Sequence, residues 1–181
     1  MIFEALTKWS GNWGSMKKQI AVFTIVTLGA IAAAQDGTTP ITLRVGFDYP
    51  ITGSTRNNVK EFYGIGLQRK ISTAGKSDHY NTDLELSIDY YGRGDFRHVP
   101  ILLNYVGYST KGGTFWSIGG GFGFIKRPIV GGTESVGRLA YQASIGMSLT
   151  TGATASFLEL KYFGSELSEL NVAGLYYGVR F

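Results

Sequence analysis

From residue 41 to the end of the chain, apolar residues alternate with small or polar ones in eight segments separated by turn-forming stretches. A period of two sends successive side chains to opposite faces of an extended strand, so the chain is predicted to be all-β. The cleanest segment runs from Thr82 to Tyr91. There Leu84, Leu86, Ile88 and Tyr90 share one face and Asp83, Glu85, Ser87 and Asp89 the other. The same pattern predicts strands over 41–49, 60–70, 99–108, 113–125, 135–149, 154–163 and 172–181. It is least regular over 99–108, where Ile101, Leu103 and Tyr105 oppose Leu102, Asn104 and Val106. The connectors 50–58, 72–81, 92–98, 109–112, 126–134, 150–152 and 164–171 have the composition of turns and surface loops. Residues 165–170 are predicted to form little more than one helical turn.

Alternation alone does not say which face is enclosed, so side-chain volume must decide. A closed barrel of eight strands has an interior only just wide enough for side chains. One face carries Gly46, Gly64, Gly66, Gly119, Gly121, Gly123, Gly146, Gly174 and Gly178, and is therefore predicted to be inside. The bulky Leu, Ile, Val, Phe and Tyr set is then outside, which only lipid tolerates. Strands of roughly 9 to 13 residues suit a tilted crossing of the hydrocarbon layer, and closure removes the unpaired edge that lipid would penalise. The predicted fold is an eight-stranded antiparallel up-and-down transmembrane β-barrel occupying 35–181 as a single domain. Its enclosed charges, Arg44, Asp48, Lys60, Glu85, Asp89, Arg138, Glu159, Lys161 and Arg180, must pair with one another, because an isolated buried charge is prohibitively costly. Tyr49, Tyr63, Tyr90, Tyr105, Trp116, Phe163 and Phe181, near strand ends, are predicted to form two interfacial girdles.

The N-terminal 34 residues read differently. Lys17 and Lys18 precede a short apolar stretch over 20–31, which ends in Ala32, Ala33 and Ala34. This order is that of a cleaved secretory signal, with cleavage expected after Ala34. The stretch is short of the roughly 20 residues a membrane helix needs. Either Met1 or Met16 is the start, and residues 1–15 are expected to have no place in the mature fold. Removing Lys8, Lys17, Lys18 and Glu4 leaves 14 basic and 12 acidic residues, a balance that gives no support to nucleic-acid binding. With no cysteine, neither disulfides nor thiolate metal sites are available.

The last strand closes on Leu175, Tyr177, Val179 and Phe181 at every second position. This pattern resembles the C-terminal signature of bacterial outer-membrane β-barrels. The size and layout of residues 35–181 are similar to those of the small eight-stranded OmpX-like and OmpA-like barrels, a likeness of layout rather than of a specific motif. The resemblance implies recognition of these four residues by the barrel assembly machinery, escort by periplasmic chaperones, and integral residence in the outer membrane. It also implies a monomer with both termini periplasmic, outer loops at 50–58, 92–98, 126–134 and 164–171, and inner turns at 72–81, 109–112 and 150–152. The turn 72–81 is long for a periplasmic one. The outer loops are short for a dedicated adhesin.

The function expected on these grounds is structural or envelope-stabilising, without a large open channel. A narrow path for water or small ions is one alternative. A second, drawn from the resemblance, is a lipid-modifying enzyme, but hydrolysis needs a nucleophile, base and orienting acid within reach. His79 beside Ser77 and Asp78, and His98 near Asp95 and Ser109, lack a recognisable spacing, so no catalytic residues are assigned. A soluble lipocalin-like carrier is a third, distinguished by apolar residues lining its cup. No cofactor or metal is expected: the His/Asp pairs lack further ligands, and Gly119 to Gly123 lack the Gly-Lys-Ser/Thr ending of a phosphate loop.

Overall fold

A computed structural model describes residues 39–151 and 154–181. The expected signal segment lies outside the described residues. Eight strands follow one another: β1 (Ile41–Pro50), β2 (Phe62–Lys76), β3 (Tyr80–Arg93), β4 (Phe96–Ser109), β5 (Thr114–Ile129), β6 (Gly132–Ser148), β7 (Ala155–Ser165) and β8 (Val172–Arg180). Each bonds antiparallel to its sequence neighbours, and β1 pairs with β8 to close the barrel. Closure is the physical solution to two exposed edges, because every strand then has a partner on both sides.

Burial follows the predicted parity. In β3, Asp83, Glu85, Ser87 and Asp89 are buried, while Leu86 and Ile88 are 43% and 47% exposed on the outside. Phe47, Tyr63, Leu103, Ile118, Leu139, Ile145, Leu160 and Leu175 likewise stand on the outer surface. The volume rule also holds. A Cβ added at Gly66 would meet the Asp89 carboxylate and the Arg44 side chain, and one at Gly174 would meet Asp48. These glycines therefore make room for a neighbouring strand's polar side chain.

Most strands are longer than the alternation indicated, and the connectors expected at 72–81, 92–98 and 126–134 are correspondingly shorter. The expected long turn at 72–81 is mostly strand, because β2 continues to Lys76 through two register shifts, between Lys70 and Ser72 and between Thr73 and Gly75. A bulge inserts one residue and breaks the two-residue pattern without ending the pairing, so the segment looks like a loop in sequence. The connector 92–98 shrinks to a hairpin whose closing pair is Arg93 and Phe96, and 126–134 to one closed by Ile129 and Gly132. Gly94 and Gly131 adopt φ of 62° and 87°, the left-handed region that admits glycine at low cost.

At the end opposite the termini, 50–58 is not simply a loop. It contains the short helix α1 (Gly53–Asn58), whose Thr55 Oγ1 donates to the Glu169 carbonyl at 2.6 Å. The expected turn within 165–170 is a single 3-10 turn, Ser168–Leu170. Leu170 is fully buried from it.

Candidate functional site

The enclosed side chains sort into layers along the barrel. In the middle, Arg44 of β1 donates from Nε to Asp89 Oδ1 of β3 at 3.0 Å and from Nη1 to Glu159 Oε2 of β7 at 3.4 Å. Lys161 of β7 reaches the same Asp89 oxygen at 3.4 Å. All four side chains are 2% exposed or less. In so dry a setting each charge must be matched locally, and two cations against two carboxylates achieve this. Asp48 lies next to this group, accepting from the Tyr176 hydroxyl at 2.5 Å.

A second, neutral network runs beside the first. Asn104 donates to Ser87 Oγ at 2.9 Å, and Gln142 donates to Asn104 Oδ1 at 2.5 Å and to Ser117 Oγ at 3.1 Å. Toward the termini, Glu85 accepts from Gln68 Nε2 at 2.5 Å and from the Tyr108 hydroxyl at 2.7 Å. The Arg180 guanidinium lies 4.2 Å over the Tyr108 ring. Phe115 and Phe157 meet edge to face at 5.2 Å on the same inner surface.

Toward the opposite end the interior is apolar, which the sequence-based sorting into oily outside and polar inside did not anticipate. Phe62, Tyr91, Phe96, Leu102, Ile125, Phe163, Leu170, Val172 and Tyr176 form one buried cluster. Tyr91 and Phe163 stack at 4.9 Å. A cleft of about 940 Å³ opens at this end, lined in part by Lys60, Glu61, Arg93, Asp95, Phe96 and Val130. Phe96 packs against Phe62, 6.2 Å between ring centroids, so the apolar cluster begins where the cleft ends.

Of the predicted interior charges, the barrel brings Arg44, Asp89, Glu159 and Lys161 into one cluster, with Asp48 and Glu85 buried nearby. Arg180 is half-buried at the termini end. Two members fall elsewhere. Lys60 precedes β2 in an exposed connector. Arg138 sits on β6 above its pairing with β7, 42% exposed and 4.0 Å from Glu166. Both lie beyond the enclosed stretch because the strands begin or extend differently from the alternation. Phe163, expected in a girdle, is 1% exposed and faces inward with Glu159 and Lys161. Lys70 and Asp83, not assigned to the network, pair at 2.7 Å where β2 bulges.

His98 is fully buried, its Nδ1 against the Tyr91 hydroxyl, which donates to the Leu170 carbonyl at 2.9 Å. The parity of β4 places it inside with Asn104. Neither Asp95 nor Ser109 is among its hydrogen-bond partners. His79 is exposed in the β2–β3 turn. Among the described residues no group of His, Cys, Asp and Glu has the arrangement of a metal site. Leu175, Tyr177 and Phe181 form an outward stripe on and just beyond β8, with Val179 partly covered between them.

No family model and no curated protein matches the chain. Among solved structures, it is similar to the N-terminal β-barrel domain of Pseudomonas aeruginosa OprF, at 15% identity and a TM-score of 0.49 over 79% of this chain and 97% of that one. It is also similar to the attachment invasion locus protein Ail of Yersinia pestis in a phospholipid nanodisc, at 15% identity and 0.46 over 80% and 100%. A third likeness is to the outer membrane enzyme PagL, at 11% identity and 0.45 over 78% and 98%.

Proposed function

We propose that this chain is an integral barrel of a bacterial outer membrane with an envelope-stabilising role and a closed interior. The observation that carries the reading is the inverted sorting of side chains: ionised groups share a sealed core while Phe47, Ile118, Leu139 and Ile145, each more than half exposed, face outward. In water that surface would aggregate, whereas in hydrocarbon it is the ordinary outer face of a barrel. A soluble carrier would need the opposite arrangement.

The filled interior favours a scaffold over a conduit. The charged layer is closed by direct ion pairs, and the apolar cluster from Phe62 to Tyr176 lies between it and the outer cleft. For the lipid-modifying alternative, the buried histidine is engaged with a tyrosine rather than with a nucleophile and an acid. The outward stripe Leu175, Tyr177, Val179 and Phe181 supports recognition by assembly machinery and periplasmic chaperones, since these are side chains an outside factor can read.

Outer-membrane fractionation and heat-modifiable migration in detergent gels test the placement. Full solubility without detergent would end it. Planar-bilayer recordings test the closed interior. The expected trace has no single-channel steps, and reproducible steps abolished by Glu85→Gln would replace the scaffold with a narrow pore.

A further inference from the structure

On the outer face of the barrel, at the end away from the termini, two cations stand directly opposite each other. Arg97 of β4 pairs in register with Lys126 of β5. Their neighbours His98 and Ile125 are buried inside, so strand parity turns Arg97 and Lys126 outward. Like charges directly opposite on a sheet face are destabilising, with side chains starting only about 5 Å apart. Neither residue pairs with a carboxylate among the described residues. Arg97 spends Nε on the Gly94 carbonyl at 3.1 Å, which leaves the two Nη groups uncommitted.

The surroundings indicate what neutralises them. In the outward row that contains them the pair is flanked by Gly92 on β3 and Ser135 on β6, with Tyr63 of β2 beyond Gly92, so from β2 to β6 the row holds two cations and no acid. The next outward positions toward the barrel middle are Val99 and Phe124, then Ile101 and Phe122, then Leu103 and Gly120. Phe124, Phe122, Ile101 and Leu103 are all exposed. The pair thus sits at the upper border of an unbroken apolar strip, the level at which a lipid places its headgroup above its chains.

We infer that Arg97 and Lys126 together hold the phosphate of a lipid whose acyl chain lies along Phe124, Phe122 and Leu103. A guanidinium supplies two parallel N–H donors to phosphate oxygens and an ammonium supplies a point charge, so the two types are complementary at one anion. The small, exposed Ser135 beside Lys126 keeps that side of the pair free of a bulky side chain. This inference rests on the membrane reading above.

The test uses the full barrel in phosphatidylcholine vesicles containing a minor fraction of either phosphatidic acid or the diacylglycerol with the same chains. Native mass spectrometry of the released barrel counts the lipid retained. The wild type is expected to retain phosphatidic acid over diacylglycerol by about ten-fold or more, given about 1 kcal/mol for each basic residue near a membrane surface. In Arg97→Gln/Lys126→Gln the preference falls toward unity while heat-modifiable migration is retained. Arg69→Gln, which removes an exposed cation at the other end, leaves the preference intact. Equal retention of the two lipids by the wild type, an unchanged preference in the double variant, or displacement by inorganic phosphate alone would each overturn the inference. Flotation with the vesicles separates the two levels: a chain that floats without discriminating removes only the lipid site, and one that fails to float removes the membrane reading as well.

Discussion

Asp89 is the residue on which the enclosed charges converge, because both Arg44 and Lys161 direct a donor at its Oδ1. Asp89→Asn leaves Arg44 with Glu159 alone and Lys161 without its ion-pair partner, and breaking such a buried set costs about 3–5 kcal/mol. The expected outcome is a lower urea midpoint for loss of the heat-modifiable form, with the secondary structure at low denaturant preserved. Gly66 offers a test of the space beside it. Gly66→Ala sets a methyl against Asp89 and Arg44, an overpacking of about 1–3 kcal/mol. Gly120, with nothing within 4 Å of an added Cβ, should accept alanine within about 0.5 kcal/mol. Equal midpoints for the two glycine variants would show that the inner glycines do not make room for the charges. The pairing partners themselves were only partly legible. Parity puts Arg44, Asp89, Glu159 and Lys161 inside, but it cannot say that Lys60 lies off the end of β2 or that Arg138 stands above the enclosed stretch.

The strands show where a two-residue period is informative and where it is not. Over residues 83–91 of β3 buried and outward positions alternate without a break, as the sequence pattern indicates. Over β2 the register shifts between Lys70 and Ser72 and between Thr73 and Gly75 break the two-residue pattern, so the continuation to Lys76 reads in sequence as a loop. Tyr91, Phe163 and Tyr176 share the inner parity of their strands with Asp89, Lys161 and Gly174, so strict counting assigns them inside. Of the three, only Phe163 is expected in an interfacial girdle, on its aromatic character and its place near a strand end. At the termini end Trp116 packs against Tyr80 and Tyr105, with ring centroids 6.5 and 5.7 Å apart. Depth along β4 gives the sharpest element-level prediction. Leu103→Arg, half exposed on the outer face, should cost about 2–4 kcal/mol if lipid covers it. Val130→Arg, on the fully exposed β5–β6 tip, should leave folding midpoints in lipid vesicles unchanged.

For the molecule as a whole, closure is what converts eight amphipathic strands into an enclosed chemistry. Strand number, antiparallel order and the side of the wall on which most residues fall were all determined by the sequence itself, because parity and residue volume are local properties that pairing does not alter. The tertiary structure decided which charges meet. Arg44 and Glu159 are separated by 115 residues, and Asp89 and Lys161 by 72, on strands β3 and β7 that are not neighbours in the sheet. Their contact crosses the lumen, so it depends on register, tilt and the two bulges acting together. The apolar cluster over the charged layer was hidden for the same reason: Phe62, Leu102, Phe163, Leu170 and Tyr176 come from five parts of the chain and become a plug only when the wall curves far enough to bring them together.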